Sequence, residues 1–164
     1  MRAALVACAA LGACASPAAT PAMIACPAER AVYSIPESDA ELRLLETPHS
    51  VNAFSDLAVR VTADGQVFWF SFVNSNGYGR SFLGYIRDPT APDAEDPLEI
   101  EEAQGDNDLG LFDADMKYMD TPQSGTPAPQ YLYAPGIGVR FWYDAPNRTL
   151  VPIGMWRLSA CAPA

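Results

Sequence analysis

Histidine and lysine are almost absent from this sequence, which contains one residue of each, His49 and Lys117. A chain with one histidine cannot form a multi-histidine metal centre. Zinc sites take most of their ligands from histidine and cysteine, so a zinc site is also disfavoured. Acidic residues outnumber basic ones by 20 to 10, so the chain also lacks the basic surface that nucleic-acid binding requires. We therefore expect neither an intact zinc-dependent active site nor a nucleic-acid partner.

The N-terminal apolar run is too short to cross a bilayer. Residues 3–13 follow the basic start Met1–Arg2 and carry no charge, but a membrane-spanning helix needs about 20 apolar residues. A basic start followed by a short apolar run is typical of a secretory signal peptide. The sequence thus predicts export, with a signal peptide over residues 1–13.

The end of this run resembles the signal of bacterial lipoproteins. Residues 11–14 read Leu-Gly-Ala-Cys, a leucine and two small residues before a cysteine. The resemblance implies that Cys14 becomes a lipid-carrying N-terminus, that residues 14–25 form a tether, and that the protein is anchored to a membrane of the cell envelope. Residues 13–15 also fit the small-residue cleavage site of ordinary secretion, which would release a soluble protein that begins at Ser16.

Export changes the interpretation of the other cysteines. Cys8 lies within the signal and Cys14 has its own role, which leaves Cys26 and Cys161 near the two ends of the mature chain. In an oxidising compartment we expect these two to form a disulfide. In the chain-entropy model, a disulfide that closes so long a loop stabilises the folded state by roughly 5 kcal/mol. A catalytic cysteine is the alternative, but both are flanked by alanine and proline, which do not activate a thiol.

Frequent proline and glycine, 15 and 11 residues, argue against long helices. Two alternating apolar runs, 57–62 and 67–73, flank the turn Asp64–Gly65 and predict a β-hairpin. A two-residue turn fixes the register, which puts Arg60 opposite Trp69 for a cation–π contact. The same register places six apolar side chains on the other face: Leu57, Val59, Val61, Phe68, Phe70 and Phe72.

Further strand-like runs occupy residues 31–35, 80–86, 131–133, 137–143 and 149–158. Residues 38–46 fit a short helix, in which Ser38 and Glu41 have the spacing of a capping box. They equally fit a strand with Leu42 and Leu44 on one face. The predicted fold is mainly β, a small antiparallel β-barrel or β-sandwich of about seven strands.

Negative charge is concentrated in one segment. Residues 88–120 contain twelve acidic residues and one lysine, and a proline-rich stretch follows over 121–130. We interpret residues of about 88–130 as one long acidic insertion within a single β domain over 26–164.

Calcium is the cofactor that this segment could hold. Four carboxylates offer oxygen ligands at alternating spacing, but the EF-hand pattern is not met, and a solvated acidic loop is the simpler interpretation. The candidate calcium ligands are Asp106, Asp108, Asp113 and Asp115.

The loop 74–79 is the best candidate for binding, since loops carry recognition and this one combines amide groups with aromatic neighbours. A glycine-rich turn whose tyrosine covers the end of the barrel is the structural alternative. The candidate residues for contact with a protein or glycan partner are Trp69, Asn74, Asn76, Tyr78 and Arg80.

Catalytic motifs are missing, and a Ser-His-acid triad would have to use His49 in a turn-like setting. We therefore predict no catalytic residues and a non-catalytic, exported envelope lipoprotein that acts as a binding or accessory module. One alternative is a periplasmic inhibitor of a lysozyme-like enzyme, for which an acidic loop would suit a basic partner. Another is a small hydrolase that uses carboxylates of the acidic segment, with or without calcium.

Overall fold

Eight strands form one closed antiparallel barrel in a computed structural model that describes residues 23–47, 54–74, 79, 81–91 and 108–163. Each strand pairs with its neighbours in sequence, and β1 pairs with β8 to close the wall. The strands are β1 Ala31–Ser34, β2 Glu41–Glu46, β3 Leu57–Ala63, β4 Gln66–Asn74, β5 Ser81–Ile86, β6 Asp108–Phe112, β7 Tyr131–Tyr133 and β8 Met155–Cys161. The predicted β fold is confirmed as a barrel, with a short helix, α1 (Ile137–Tyr143), between β7 and β8.

The β3–β4 hairpin has the predicted register, with Val61 opposite Phe68 and Arg60 opposite Trp69. Asp64 and Gly65 have φ angles of 53° and 72°, the left-handed pair that a tight hairpin turn requires. The guanidinium of Arg60 lies 5.9 Å from the centre of the Trp69 ring, so the predicted cation–π contact is present. All six apolar side chains of the predicted inner face are buried.

Side chains fill the interior of the barrel. Tyr33, Phe70 and Trp156, from three different strands, are each at most 1% exposed. Residues 38–46, which fitted a helix or a strand, contain strand β2, and its inward Leu42 and Leu44 are fully buried. The barrel therefore has a packed core at the level of these residues, as expected for eight strands.

The predicted disulfide between Cys26 and Cys161 is present, with a Cα–Cα distance of 5.6 Å. It joins the chain just before β1 to the last residue of β8, two points separated by 135 residues. We call this end of the barrel the disulfide end, and the opposite end, where α1 lies, the helix end. Antiparallel pairing also brings the end of β4, the start of β5 and the end of β6 to the disulfide end.

The predicted signal and Cys14 lie outside the described residues, as does most of the predicted tether. The described end of the tether is docked on the barrel, because Gln130 donates its side-chain amide to the carbonyl oxygen of Ile24 at 2.9 Å. In the part of the chain that the structure covers, neither the 3₁₀ turn Ala28–Arg30 nor α1 has the length and apolar character needed to cross a membrane.

The prediction of a strand over residues 137–143 is wrong, because this segment forms helix α1. Ile137 and Phe141, one helical turn apart, are buried, whereas Val139 and Tyr143 are 43% and 73% exposed. The segment closes the helix end, and its last turn is completed by the hydrogen bond from the backbone N–H of Asp144 to the carbonyl oxygen of Arg140 at 3.0 Å.

The last strand begins later than predicted. Residues 149–158 were expected to be extended throughout, but β8 starts at Met155. Pro152, which has no N–H for a ladder, lies in the non-strand part. There the backbone N–H of Thr149 donates to the carbonyl oxygen of Phe141 at 3.0 Å, so this stretch folds against α1.

The acidic segment differs from the expected single insertion, because it contains barrel strand β6. Leu109 and Leu111 of β6 point inward and are buried. After β6, residues 113–130 cross the disulfide end, and we call them the strap. The hydroxyl of Ser55 donates to the carbonyl oxygen of Pro122 at 2.7 Å, which ties the strap to the chain before β3.

Candidate functional site

A surface pocket of about 290 Å³ opens at the disulfide end, where β5 and β6 pair. Strand alternation places Ser81 and Leu109 on the inner side of the wall and Asp108 and Gly110 on the outer side, so the pocket straddles the rim of the barrel. We call it the rim pocket. Among the residues that the structure describes, its lining consists of Gly79, Ser81, Asp108, Leu109, Gly110, Tyr118 and Tyr133.

Two tyrosines supply the aromatic walls of the rim pocket. Tyr133 is the last residue of β7 and pairs directly with Gly110 of β6. Tyr118 belongs to the strap and forms an isolated β-bridge with Phe112. Their side chains are 39% and 52% exposed, respectively, so both rings remain accessible at the surface.

Gly110 makes room for the aromatic group beside the pocket. A Cβ atom at this position would lie 2.8 Å from Cε2 of Phe112, closer than such atoms approach in proteins. The Phe112 ring in turn meets the Tyr118 ring edge-on, with 6.0 Å between centroids and an angle of 88°. Glycine at 110 therefore allows Phe112 to support Tyr118 in its position.

A chain of hydroxyl groups continues from Tyr118 into the rim. The Tyr118 hydroxyl donates to Oγ of Ser81 at 3.5 Å, and the hydroxyls of Ser81 and Thr121 are 3.4 Å apart. Thr121 donates to Oδ1 of Asn74 at 3.2 Å. These distances are long for hydroxyl hydrogen bonds, so the contacts are weak and leave the hydroxyls able to exchange partners.

The predicted binding residues are only partly brought together. Asn74 lies at the rim through its contact with Thr121. Trp69 lies elsewhere, on the outer side of β4, where it is buried in a small cluster with Ala58 and Ile86. The other three predicted binding residues, Asn76, Tyr78 and Arg80, lie outside the described residues.

The candidate calcium ligands are also not grouped at one place in the structure. Oδ1 of Asp113 accepts the backbone N–H groups of Asp115 and Lys117, both at 2.9 Å, so this carboxylate closes its own turn. Asp108 lines the rim pocket instead, and Asp106 lies outside the described residues. Over the ranges that the structure covers, no three histidine, cysteine or carboxylate side chains are grouped as metal ligands.

The two tyrosines of the rim pocket were missed as site residues in the sequence. Tyr133 falls in the predicted strand 131–133, but nothing in its spacing from Tyr118 indicated a shared surface. They meet because β6 pairs with β7, and the acidic composition around β6 concealed that strand. The short alternating run over 108–112 was the only local signal for it.

A second group of exposed apolar side chains lies at the helix end. The guanidinium of Arg148 lies 5.5 Å from the centre of the Trp142 ring there, and Arg140 is paired with Asp144 at 2.7 Å. We call this group the helix-end patch, and it consists of Val139, Trp142, Tyr143, Leu150 and Ile153.

Comparison with protein-family models, with curated proteins and with solved structures finds no match to this chain. The chemistry of the surface itself is therefore the basis for a functional interpretation.

Proposed function

We propose that the protein is a non-catalytic binding module of the bacterial cell envelope. Residues 1–13 direct its export, and a lipid on Cys14 holds it at a membrane facing the periplasm or the cell surface. The observation that carries the binding role is the rim pocket, in which Tyr118 and Tyr133 present exposed rings around a concave surface. Concave, largely apolar sites with a few polar groups are where proteins bind ligands and partner side chains.

The packed barrel interior supports recognition at the surface. Tyr33, Phe70 and Trp156 occupy the space in which other small barrels hold an apolar ligand. A partner would therefore be engaged at the rim, where the strap and the pocket lie.

Exposed Met116 and Tyr118, two residues apart on the strap, favour a protein partner over a glycan. Methionine and tyrosine are enriched in protein interfaces. The formal charge of −10 would attract a basic partner over distance and speed association. Inhibition of a basic, lysozyme-like enzyme is one form of this function, and the exposed Asp115 and Asp120 beside Tyr118 favour it.

Site-specific photo-crosslinking in living cells tests the binding role. A photoreactive phenylalanine analogue at Met116 leaves the pocket residues intact, and the same analogue at Leu150, which is 78% exposed at the helix end, is the matched control. We expect an adduct from position 116 that is lost when Tyr133→Ala is added, and no such adduct from position 150. Three results would contradict the proposal: an adduct at position 116 that persists when Tyr133→Ala is added, equal adducts at positions 116 and 150, or no adduct at position 116.

Metabolic acyl labelling tests the anchor independently. We expect the wild-type protein to incorporate labelled fatty acid and Cys14→Ser to lose the label. An unmodified mature mass that begins at Ser16 would contradict lipidation, although export itself would stand.

A further inference from the structure

We propose that the helix-end patch docks on a lipid bilayer, with α1 and the loop after it in the headgroup layer. The inference rests on the proposed function, because that proposal places the protein at a membrane. It adds which surface of the barrel faces the lipid. The rim pocket, at the opposite end, then points away from the membrane and stays open to a partner.

One side of α1 supplies three of the five residues of the patch. Val139, Trp142 and Tyr143 are spaced by three and four residues, so they share a face of the helix. The opposite face carries Ile137 and Phe141, which are buried against the barrel. This burial fixes the rotation of the helix and holds the other three apolar side chains at the surface.

The loop over residues 144–154 supplies Leu150 and Ile153. Their side chains are 78% and 74% exposed, whereas Val151 between them is buried. The loop lies directly along the helix, because a Cβ atom at Gly138 would be only 2.9 Å from the carbonyl oxygen of Val151. The buried valine therefore holds the loop while the residues on either side project outward.

The chemistry of the patch fits the boundary between water and lipid. Tryptophan and tyrosine are enriched at the headgroup level of membranes, where the ring is in an apolar layer and its polar group is in water. The guanidinium of Arg148 lies 5.5 Å from the centre of the Trp142 ring. Long basic side chains of this kind keep their charged group at the headgroups while their stems lie in apolar surroundings.

The shape of the patch favours lipid over a second folded protein. Leu150 and Ile153 project as nearly whole side chains. A protein partner would need a matching depression for each of them, since protein interfaces are closely complementary. Fluid acyl chains close around a projecting side chain without such a match, and amphipathic segments bind membranes through apolar area of this kind.

The tether is long enough for this orientation. Its described end lies at the disulfide end, where Gln130 holds Ile24, so the chain from Cys14 must pass the height of the barrel. Residues 14–23 can span at most about 35 Å. Strand β4, with nine residues, is about 30 Å long, and the tilt of barrel strands makes the wall shorter. A lipid on Cys14 and the patch can therefore reach the same membrane leaflet.

Vesicles of phosphatidylcholine test the patch on the mature, disulfide-bonded chain. Cys14→Ser removes the lipid anchor, and a lipid without net charge removes general electrostatic attraction. We expect this protein to cosediment with the vesicles. Leu150→Gln should weaken the binding at least about tenfold, because each methylene group kept out of the lipid costs roughly fourfold. Met23→Gln, which replaces a residue 72% exposed beside Ile24, is the matched control and should bind like the parent.

Tryptophan fluorescence reports which surface enters the lipid. Of the three tryptophans, Trp69 and Trp156 are 7% and 1% exposed and Trp142 is 39% exposed. Brominated phosphatidylcholine should therefore quench the bound protein mainly through Trp142, and Trp142→Phe should lose most of the quenching. In the lipidated protein, deletion of residues 16–20 should also reduce the quenching several-fold, because it halves the reach of the tether while Cys14 stays acylated.

Four results would overturn the inference. They are absence of vesicle binding, equal losses in Leu150→Gln and Met23→Gln, quenching that Trp142→Phe or the shortened tether leaves unchanged, and a dimer in sedimentation that Leu150→Gln dissociates. The last result would show that a second copy of the chain covers the patch.

These outcomes are distinguishable from failure of the proposed function. Adducts at position 116 that depend on Tyr133, without vesicle binding, would leave a binding module whose helix end does not contact lipid. Vesicle binding without any adduct would show a membrane-docked protein whose rim pocket engages no partner, and the proposed binding role would fail.

Discussion

The two ends of the barrel are closed by different kinds of interaction. At the helix end, apolar side chains form a plug, in which the Phe141 ring meets Phe68 with 4.7 Å between centroids and Ile137 and Val151 are also buried. At the disulfide end, a covalent bond and hydrogen bonds to the strap dominate. Ser124, for example, donates its backbone N–H to Oδ1 of Asp56 at 2.8 Å.

This difference bears on where recognition can occur. Apolar burial is non-directional and tolerates small shifts of the plug. Hydrogen bonds and a disulfide restrict geometry, and the strap that they hold carries Tyr118. Binding sites depend on a supporting structure that keeps their side chains in place. The disulfide end therefore provides the better-held surface, which agrees with the location of the rim pocket.

Of the changes that test this difference between the two ends, removal of the disulfide should lower stability the most. Replacing Cys26 and Cys161 by alanine should lower the free energy of unfolding by up to roughly 5 kcal/mol. Urea unfolding followed by fluorescence measures the loss, and hydrogen exchange should show that strap amides lose protection before those of α1. Both proteins carry Cys14→Ser, so that neither is lipidated in the comparison. Equal stability of the oxidised and reduced protein would contradict a supporting role for the disulfide.

Truncation of a side chain in the plug should cause the next largest loss of stability. Phe141 is fully buried, so Phe141→Ala should cost about 3–5 kcal/mol through lost burial and the cavity that remains. Tyr143→Ala, two residues away and 73% exposed, should change stability by less than about 0.5 kcal/mol. Chemical denaturation of both variants makes the comparison. Similar losses in the two would show that α1 does not act as a plug.

The sequence predicted the fold best where two independent patterns agreed. The β3–β4 hairpin combines a turn dipeptide with alternating apolar residues on both sides, and its register was predicted correctly. Helix α1 was mistaken for a strand because Ile137, Val139, Phe141 and Tyr143 alternate. The same spacing includes the pair Ile137 and Phe141 on one helical face, and only the tertiary position of the segment decides between the two.

The candidate site was harder to predict from the sequence than the fold. The disulfide followed from the cysteine count and the expected compartment, and of the predicted binding residues Asn74 lies at the rim. The pocket itself depends on Tyr118 and Tyr133, which come together through pairing of β6 with β7. Such a pairing has no local signature, because each strand contributes only a few residues and the chain between them is irregular.

A single buried hydrogen bond should have a smaller effect than either truncation. The Tyr33 hydroxyl donates to the carbonyl oxygen of Pro129 in the strap at 3.0 Å, and both residues are buried. Tyr33→Phe keeps the ring and leaves this carbonyl without its donor, which should cost about 1–3 kcal/mol. Thermal and urea unfolding measure the change. An unchanged stability would show that the strap does not depend on this bond.

Burial also raises the pKa of Tyr33. The folded state then holds its phenolic proton above about pH 10, where an unfolded tyrosine ionises. This contribution to stability is fully present below pH 10 and is lost as the pH rises further. In Tyr33→Phe, the alkaline loss of stability should be shallower than in the wild type, and identical slopes would contradict this assignment.

The smallest expected effect concerns an exposed carboxylate that holds the strap. The backbone N–H of Gly125 donates to Oε2 of Glu29 at 2.8 Å, and this bond lowers the pKa of Glu29 below its usual 4.5. Its stabilising effect is therefore present above pH 4.5 and is lost as the pH falls through the lowered pKa of the folded protein. Glu29→Gln should reduce the protection of the Gly125 amide from hydrogen exchange at pH 6, and the difference from the wild type should shrink as the pH falls below 4.5. Glu46→Gln, at the exposed end of β2, removes the same charge and should leave that amide unchanged over the same pH range. Equal effects of the two variants would mean that general charge, and not this hydrogen bond, holds the strap at Gly125.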